Sequence, residues 1–389
     1  MRLDDNNMCN EKNSIENIAD VNTEIRPDMV THIWDVTGDM NKEETMEHLK
    51  EAAALLQDGS IVAFPTETVY GLGADARNTA AVESVFAAKG RPSDNPLIVH
   101  VASRAQLDGF TEPVNELSSR LMDTFWPGPL TLILPLKQKS LSEKVSAGLD
   151  TVGVRMPDHP VALELIAAAD CPVAAPSANR SGRPSPTTSS HVREDLMGRI
   201  AGIVDGGPTG VGVESTVVEA HDDGTVTILR PGGITAEQLA EVAAEVRLDP
   251  GLSVDSVKAD ASSPAPRSPG MKYTHYAPKG ELCVVQGAPD AVAAYVNGAL
   301  SAAAARGERT AVLAFSEHLH LYRADAVYSL GSLERLAEGA HRLYAALRSC
   351  DEIGASVLYA EACPRDGLGD AIMNRLLKAA GHQIIHVTE

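Results

Sequence analysis

The pattern of apolar and polar positions predicts a chain of alternating strands and helices. Short apolar runs bounded by turn residues, such as "IVAFPT" at 61–66 and "LTLILPL" at 130–136, are typical of buried strands. Apolar residues at helical spacing, as in "KEETMEHLKEAAALLQDGS" at 42–60, predict helices between them. Both hairpin-like and crossover connections occur up to about residue 247. The pattern therefore indicates an α/β domain whose sheet has mixed pairing.

The same pattern divides the chain into four parts. Residues 1–27 lack hydrophobic periodicity and are predicted to be a disordered tail, whereas residues 28–247 carry the mixed α/β pattern. The segment 248–279 is rich in Pro, Ser and Gly, which predicts a linker. Over residues 280–389 strands and helices alternate, and this alternation predicts a Rossmann-like domain with a parallel sheet.

Composition and charge narrow the functional classes. The formal net charge is −20, and residues 61–236 contain 14 Lys and Arg against 20 Asp and Glu, which disfavours a broad nucleic-acid footprint. No apolar run reaches the ~20 residues of a membrane span, and the N-terminus lacks the apolar core of a secretory signal. Five scattered cysteines without a CxxC pair favour reduced thiols in the cytoplasm.

Cations are concentrated in one stretch of this acidic chain, "KGRPSDNPLIVH". Two prolines stiffen it, so Lys89 and Arg91 are preorganised to bind a polyanion. Asn95 can hold a base edge or a phosphate oxygen, and His100 ends the strand that follows. The alternative is structural: a Lys-Gly-Arg sequence after a helix can complement the helix C-terminal dipole, and a lone strand-end histidine is more often structural.

Polar residues also follow several other apolar runs. "FPTETVYGLG" places Thr68 and two glycines after a strand, which suits either a small polar ligand or a turn with capping threonines. In "TVGVRMP", Arg155 has no acidic neighbour on its own strand, and because an isolated buried cation is costly, an anionic ligand is favoured. "APSANRSGRPSPTTS" is hydroxyl-rich, a composition that is also typical of a flexible Ser/Pro loop, and "DGGPTGVGVESTVV" is glycine-rich before Ser215 and Thr216. Their hydrogen-bonding residues are Ser177, Asn179, Ser185 and Ser215, with Arg230 at the end of the following hairpin.

Together these stretches resemble the YrdC-like threonylcarbamoyl-AMP synthase family in its long, two-domain form. The matching segments, in chain order, are "PTETVYGLG", "KGRPSDNPLIVH", "WPGPLTLIL", "VGVRMP", "APSANRSGRPSPT", "GVESTVV" and "LRPGGI". The KxR and SxN signature of the family stands here as Lys89-Gly90-Arg91 and Ser177-Ala178-Asn179. "SPGMKYTHYAP" and "GLGDAIMNRLLKAA" resemble its linker and C-terminal domain. The resemblance implies an α/β fold with a YrdC-like twisted mixed sheet and flanking helices, plus a C-terminal Rossmann-like parallel α/β domain.

The resemblance also implies a reaction. The enzyme would be a nucleotidyltransferase that makes L-threonylcarbamoyl-AMP from L-threonine, bicarbonate and ATP and releases pyrophosphate. Mg²⁺ would accompany ATP, held by phosphates and water and not by protein side chains. The product would pass to a separate tRNA threonylcarbamoyl transferase, for the threonylcarbamoyladenosine modification of tRNA, and this chain would bind tRNA weakly at most.

Residue roles follow from the resemblance, position by position. Lys89 and Arg91 would be the catalytic cations. L-threonine would be held by Thr68, His100, Arg155, Ser215 and the backbone of Ala175. ATP would be held by Lys89, Arg91, Asn95, Thr151, Ser177, Asn179, Ser185 and Arg230. A linker tyrosine, Tyr276 in preference to Tyr273, would close over the nucleotide as a lid. Thr274 stands where many long relatives carry a basic residue.

Three other functions compete with this interpretation. A non-catalytic RNA- or tRNA-binding module of the same fold is disfavoured by the acidic charge of residues 61–236. The hydrogenase-maturation carbamoyltransferase shares the domain but adds paired-cysteine zinc motifs, which this sequence lacks. An independent nucleotide-binding enzyme at 280–389 would need a dinucleotide fingerprint, and "DGLGDA" has only two of its glycines.

Overall fold

The computed structural model describes residues 29–252 and 275–388 and contains two α/β units. In the first, the described strands form one mixed sheet in the order β1-β8-β2-β3-β7-β4-β6-β5-β9-β10-β11. These strands are β1 (His32–Asp35), β2 (Val62–Phe64), β3 (Gly71–Asp75), β4 (Ile98–His100), β5 (Leu130–Pro135), β6 (Thr151–Arg155), β7 (Val173–Ala174), β8 (Gly202–Asp205), β9 (Thr216–Ala220), β10 (Thr225–Arg230) and β11 (Glu245–Leu248). The α-helices of this unit are α1 (Glu43–Gln57), α2 (Thr79–Lys89), α3 (Glu116–Phe125), α4 (Glu143–Ser146), α5 (Pro160–Ala169), α6 (Ser189–Leu196) and α7 (Ala236–Ala240).

The central strands of this sheet are buried on both faces, as their uninterrupted apolar runs predict. In β2, Val62 and Phe64 join the apolar cluster beneath α1 and α5, whereas Ala63 belongs to the cluster beneath α2 and α3. The predicted hairpin is present, because β9 and β10 pair antiparallel around the turn that contains Gly224. Parallel and antiparallel pairs both occur in the sheet, so the mixed fold class is confirmed.

One strand at the centre of the sheet falls where the sequence predicted a loop. β3 pairs antiparallel with both β2 and β7, although it contains two glycines. A Cβ on Gly73 would lie 2.8 Å from atoms of both Phe64 and Val173. Glycine is therefore required here by the close approach of neighbouring side chains, and it does not mark a turn.

Two further elements differ from the predicted pattern. The helix expected at about 235–245 ends at Ala240, and residues from Glu245 form β11, which pairs parallel with β10. The Ser/Pro loop expected at 175–189 ends in α6, which begins at Ser189 with the side chain of Thr188 as its N-cap. β11 forms because it pairs with β10, and α6 forms where Thr188 caps its first turn. Both effects depend on the tertiary position of the segment.

The second unit is a parallel sheet with helices, as expected from its alternating pattern. Its strand order is β14-β13-β15-β12-β16, and each observed pair is parallel. The strands are β12 (Glu281–Gln286), β13 (Thr310–Ala314), β14 (Ala326–Ser329), β15 (Val357–Glu361) and β16 (Ile384–His386). The helices are α8 (Pro289–Ala305), α9 (Leu336–Glu352) and α10 (Leu368–Ala379). None of the helices in the described ranges has the length and apolarity that crossing a membrane requires.

Helix α9 packs directly on loops of the first unit. Arg348 is 1% exposed, and its NH2 donates to Asp195 Oδ2 at 2.8 Å and to the Pro184 carbonyl at 2.6 Å. A Cβ on Gly212 would lie 2.3 Å from the Cα of His341, so the two backbones touch there. The C-terminal unit thus contacts the loops at 180–185 and 210–215, both of which the sequence analysis marked as candidates for ligand binding.

Candidate active site

A pocket lies at the ends of the central strands of the first unit. In the parallel pair β4–β6, His100 stands opposite Arg155, so both side chains reach the same edge of the sheet. The pocket collects predicted site residues from well-separated parts of the chain. They are Thr68, Lys89, Arg91, His100, Arg155, Ala175, Ser177, Asn179, Ser215, Arg230 and Tyr276.

Three predicted ATP-binding residues do not line this pocket. Thr151 begins β6 whereas Arg155 ends it, so about 13 Å of strand separates their Cα atoms. Ser185 is fully buried, and its hydroxyl donates to Glu214 Oε1 at 2.6 Å. Asn95 is 1% exposed, and within the described residues neither polar atom of its side chain has a hydrogen-bond partner. Their proposed contacts with ATP stay predictions.

The loop after β2 holds Arg155 in place. Arg155 NH1 donates to Thr68 Oγ1 at 2.9 Å, and NH2 donates to Glu67 Oε2 at 3.1 Å. Thr66 Oγ1 lies 2.8 Å from Thr68 Oγ1 and fixes it in turn. Burial lowers the pKa of Arg155, and the nearby Glu67 opposes this shift. Glu67 is an acidic partner that a search along the strand alone missed, because it lies on a distant segment of the chain.

His100 is buried and neutral at physiological pH. It is 5% exposed, and burial together with the charge of Arg155 lowers its pKa to about 3. Its ring packs edge-on against Phe64, with the ring centroids 6.2 Å apart. Within the described residues Nδ1 has no hydrogen-bond partner. This nitrogen can therefore donate a hydrogen bond to a polar ligand or accept one from it. Because the ring is neutral, His100 adds no charge to the site.

Lys89, the last residue of α2, holds the SxN segment. Its Nζ donates to the Ser177 carbonyl, to the Asn179 carbonyl at 2.5 Å and to Asn179 Oδ1 at 3.3 Å. Gly90 follows with a φ of 62°, the left-handed conformation that ends the helix. Burial and the neighbouring Arg91 lower the pKa of Lys89 well below its usual value. Lys89 thus brings the two halves of the family signature into direct contact.

Arg91 and Arg230 reach the pocket from different directions. Arg91 NH2 donates to the Pro96 carbonyl at 3.2 Å, which closes its own loop. Arg230, at the end of β10, donates from NH2 to the Ser215 carbonyl at 3.0 Å and to Ser215 Oγ at 3.2 Å. Ser215 Oγ also lies 2.8 Å from Thr131 Oγ1. Together with Lys89 these cations form a positive, largely buried surface suited to phosphates.

The described end of the predicted linker, from residue 275, reaches the pocket. Tyr276 lines it with a φ of 66°, and its ring centroid is 5.2 Å from that of Tyr344 on α9. The Ala277 amide donates to the Gly182 carbonyl at 2.8 Å, which ties this segment to the Ser/Pro loop. Tyr276 therefore lies among the cations and loops that line the pocket. Tyr273, the other candidate, lies outside the described residues.

Sequence reasoning missed several residues of the pocket and its surroundings. Glu67 and Glu214 stand inside the segments "PTETVYGLG" and "GVESTVV", but the sequence pattern assigned no role to either carboxylate. Arg183 lines the pocket and donates to Glu194 Oε1 at 2.7 Å. His275 also lines it, and burial together with nearby cations lowers its pKa to about 3. The signal that could have identified these residues is their position, since each is a polar residue within or beside a segment that matches the family.

Comparison with known proteins decides the family. A family model described as "Telomere recombination" matches residues 54–232, and one described as "Threonylcarbamoyl-AMP synthase, C-terminal domain" matches residues 234–381. A protein of Bacillus subtilis named threonylcarbamoyl-AMP synthase is 52% identical over 359 residues, which cover 92% of this chain and 100% of the relative. The chain belongs to the threonylcarbamoyl-AMP synthase family. The resemblance inferred from the motifs is thereby confirmed.

A second relative supports both the family and the fold. The threonylcarbamoyl-AMP synthase of Pyrococcus abyssi is 45% identical over 353 residues, covering 90% of this chain and 99% of the relative. The crystal structure of P. abyssi Sua5 complexed with L-threonine matches with a TM-score of 0.84 and 43% identity, over 92% of this chain and all of that one. The predicted fold class, a mixed sheet with a C-terminal parallel α/β domain, is confirmed by this match.

Proposed function

We propose that this protein is an L-threonylcarbamoyladenylate synthase, a nucleotidyltransferase that makes L-threonylcarbamoyl-AMP from L-threonine, bicarbonate and ATP. The observation that carries the proposal is the pocket itself, which gathers five Lys and Arg residues, a neutral histidine and two loops with hydroxyl groups from separate segments. A full-length relative at 52% identity is named for this product, and a relative's structure contains L-threonine. The C-terminal unit is therefore part of the same enzyme and not an independent one.

The reaction needs two bond-forming steps. The threonine amine, after losing a proton, attacks the carbon of bicarbonate, and loss of water leaves a carbamate. A carbamate oxygen then attacks the α-phosphorus of ATP, and the bond from that phosphorus to the bridging oxygen of pyrophosphate breaks. No covalent enzyme intermediate is required, so the protein acts by positioning the reactants and by stabilising charge on the phosphates.

The two sides of the pocket suit the two substrates. Arg155, which Glu67 and Thr68 hold in place, lines the pocket, and we assign its guanidinium to the threonine carboxylate. Neutral His100 supplies a hydrogen bond at the same end. The other cations and the loop donors that line the pocket we assign to ATP: Lys89, Arg91, Ser177, Asn179 and Arg230. Tyr276, which also lines the pocket, is assigned as the lid residue.

Mg²⁺ is proposed to enter with ATP. Glu214 is the acidic residue among the described pocket residues, and its two oxygens already accept hydrogen bonds from three side chains. The chemistry of the remaining lining groups, amides, hydroxyls and cations, suits phosphate oxygens better than a bare metal ion. The phosphates and water would therefore supply the ligands of Mg²⁺. The ion would in turn balance part of the negative charge of the phosphates.

We also propose a cellular setting for this enzyme. The four cysteines within the described residues are unpaired thiols, as in proteins kept reduced in the cytoplasm. The adenylate would be handed to a separate tRNA threonylcarbamoyl transferase. Since the whole chain is acidic, we expect its own affinity for tRNA to be weak and strongly dependent on salt.

Pyrophosphate release from ATP tests the proposed function. Release by the purified protein is expected only when both L-threonine and bicarbonate are present, and Arg91→Ala should reduce it by at least about 100-fold because a phosphate-binding cation is lost. Thermal unfolding checks that the variant is folded. Release that does not depend on threonine, or tRNA binding without any ATP consumption, would show that the proposed reaction is wrong.

A further inference from the structure

One acidic side chain lies in a pocket otherwise built for anions. Among the described residues that line the pocket, Glu214 is the one carboxylate, beside five Lys and Arg residues. It is 7% exposed. Burial alone would raise the pKa of Glu214, but Arg375 and Arg230 lower it to about 2, so the group is negatively charged at neutral pH. A negative charge so close to bound phosphates would weaken their binding unless it were neutralised.

The C-terminal domain neutralises this charge. Glu214 Oε2 accepts hydrogen bonds from Tyr344 OH at 2.7 Å and from Arg375 Nε at 2.9 Å, and both donors belong to the second unit. Its other oxygen accepts from Ser185 in the catalytic domain. Arg375 is 0% exposed and is the ion-pair partner of Glu214. Removing that arginine would leave a buried carboxylate whose countercharge is incomplete.

The same two side chains also touch the rest of the ATP side of the pocket. Arg375 NH1 donates to the Pro231 carbonyl at 2.6 Å, immediately after Arg230. The guanidinium carbon of Arg375 lies 5.8 Å from the centre of the Tyr276 ring, and Tyr344 packs on that ring from α9. The carboxylate, the end of β10 and the lid residue are therefore all fixed by one arginine and one tyrosine.

From this geometry we propose that Glu214 is a positioning residue of the ATP site, held and neutralised by Arg375 and Tyr344 of the C-terminal domain. Glu214 precedes Ser215, whose carbonyl and hydroxyl accept from Arg230, so fixing the carboxylate also fixes this pair. The C-terminal domain thus acts on the reaction through charge balance and loop position without touching substrate. This inference rests on the proposed function, since the readout is the use of ATP.

Arg375→Met in the full-length protein is the principal test. The uncompensated charge of Glu214 should raise the KM for ATP about tenfold or more, and the KM for L-threonine by a smaller factor, because Glu214 also precedes Ser215, which we assign to threonine. The double variant Glu214→Gln with Arg375→Met, which removes both charges, should recover most of the loss. Arg365→Met, an exposed arginine of the same domain, is the matched control and should behave as wild type. Far-UV circular dichroism and thermal unfolding verify the fold of each variant.

The outcomes separate this inference from the proposed function. Absence of threonine- and bicarbonate-dependent pyrophosphate release in the wild type contradicts the function itself. Normal wild-type turnover with an unchanged KM for ATP in Arg375→Met, or a double variant no better than the single one, overturns the role of Glu214. If Arg375→Met does not fold, Tyr344→Phe keeps the charges and removes one hydrogen bond. It should raise the KM for ATP about two- to fivefold, and an unchanged value overturns the proposal.

Discussion

At the scale of single residues, the site contains buried cations that are held by hydrogen bonds or by an ion pair. Lys89 is 3% exposed, yet its ammonium has three oxygen acceptors in the SxN segment. Arg155 is buried beside Glu67. Each cation is thus already held in one orientation before a substrate arrives, which limits the entropy lost on binding. His100 differs, because its environment favours the neutral ring.

The pH dependence of stability should reveal the buried state of His100. Its folded pKa of about 3 lies below the value of 6.5 in an unfolded chain, so its contribution is complete above pH 6.5 and is lost as the pH falls toward 3. At about pH 5 this loss amounts to about 2 kcal/mol for this one histidine. Urea denaturation of the wild type and of His100→Gln at pH 7.5 and 5 measures it. We expect a smaller loss in the variant, and identical losses would contradict the assignment.

At the scale of elements, short strands place the ligand groups and glycines permit their close packing. β4 and β6 each end with a pocket residue because their parallel register puts His100 opposite Arg155. β3 brings the loop after β2 back into the sheet, so Thr68 can reach Arg155. Because β3 passes between β2 and β7 without space for a side chain at Gly73, the position of this loop depends on that packing.

Replacement of Gly73 tests the packing of β3. Gly73→Ala is expected to lower the free energy of unfolding by about 2 kcal/mol, since the new methyl group would overlap Phe64 and Val173. Gly298→Ala is the matched control, because a Cβ at this position in α8 meets no atom within 4 Å, and it should raise stability by up to about 1 kcal/mol. Equal free energies of unfolding for the two variants would contradict this account of β3.

At the scale of the whole molecule, the two units meet through buried polar groups at the active-site loops. Arg348 binds Asp195 and the Pro184 carbonyl, next to the loop that carries Ser185. Glu214 is bound from α9 and α10 in the same manner. These contacts join the C-terminal domain to the loops at 180–185 and 210–215. We therefore expect that weakening the contacts increases local unfolding of these loops.

Arg348→Met tests the coupling between the units. Because Asp195 would keep only part of its countercharge, we expect a loss of about 3 kcal/mol in the free energy of unfolding and faster amide exchange in residues 180–185. Arg342→Met changes an arginine of the same helix whose side chain is 48% exposed, and it should stay within about 0.5 kcal/mol of wild type. Unchanged exchange at 180–185 in Arg348→Met would contradict the coupling.

Much of this architecture follows from the sequence because strong local signals agree with the tertiary structure. The strands with continuous apolar runs and the helices with regular apolar spacing form where they were predicted. β3, β11 and α6 were missed because their formation depends on pairing and capping by distant segments. The proposed domain boundaries stay predictions, as do the tail at 1–27 and the part of the linker at 253–274, which lie outside the described residues.

The sequence by itself determined which chemical groups are present: the cations of the KxR motif, the SxN segment, the strand-end histidine and the hydroxyl-rich loops, each in an order that identifies the family. Only the tertiary structure decided how they are used. It placed Glu67 against Arg155, buried Ser185 behind Glu214 and put Thr151 at the far end of its strand. Charge balance inside a pocket depends on which segments meet in space, and Glu214 and Arg375 meet across 161 residues of chain.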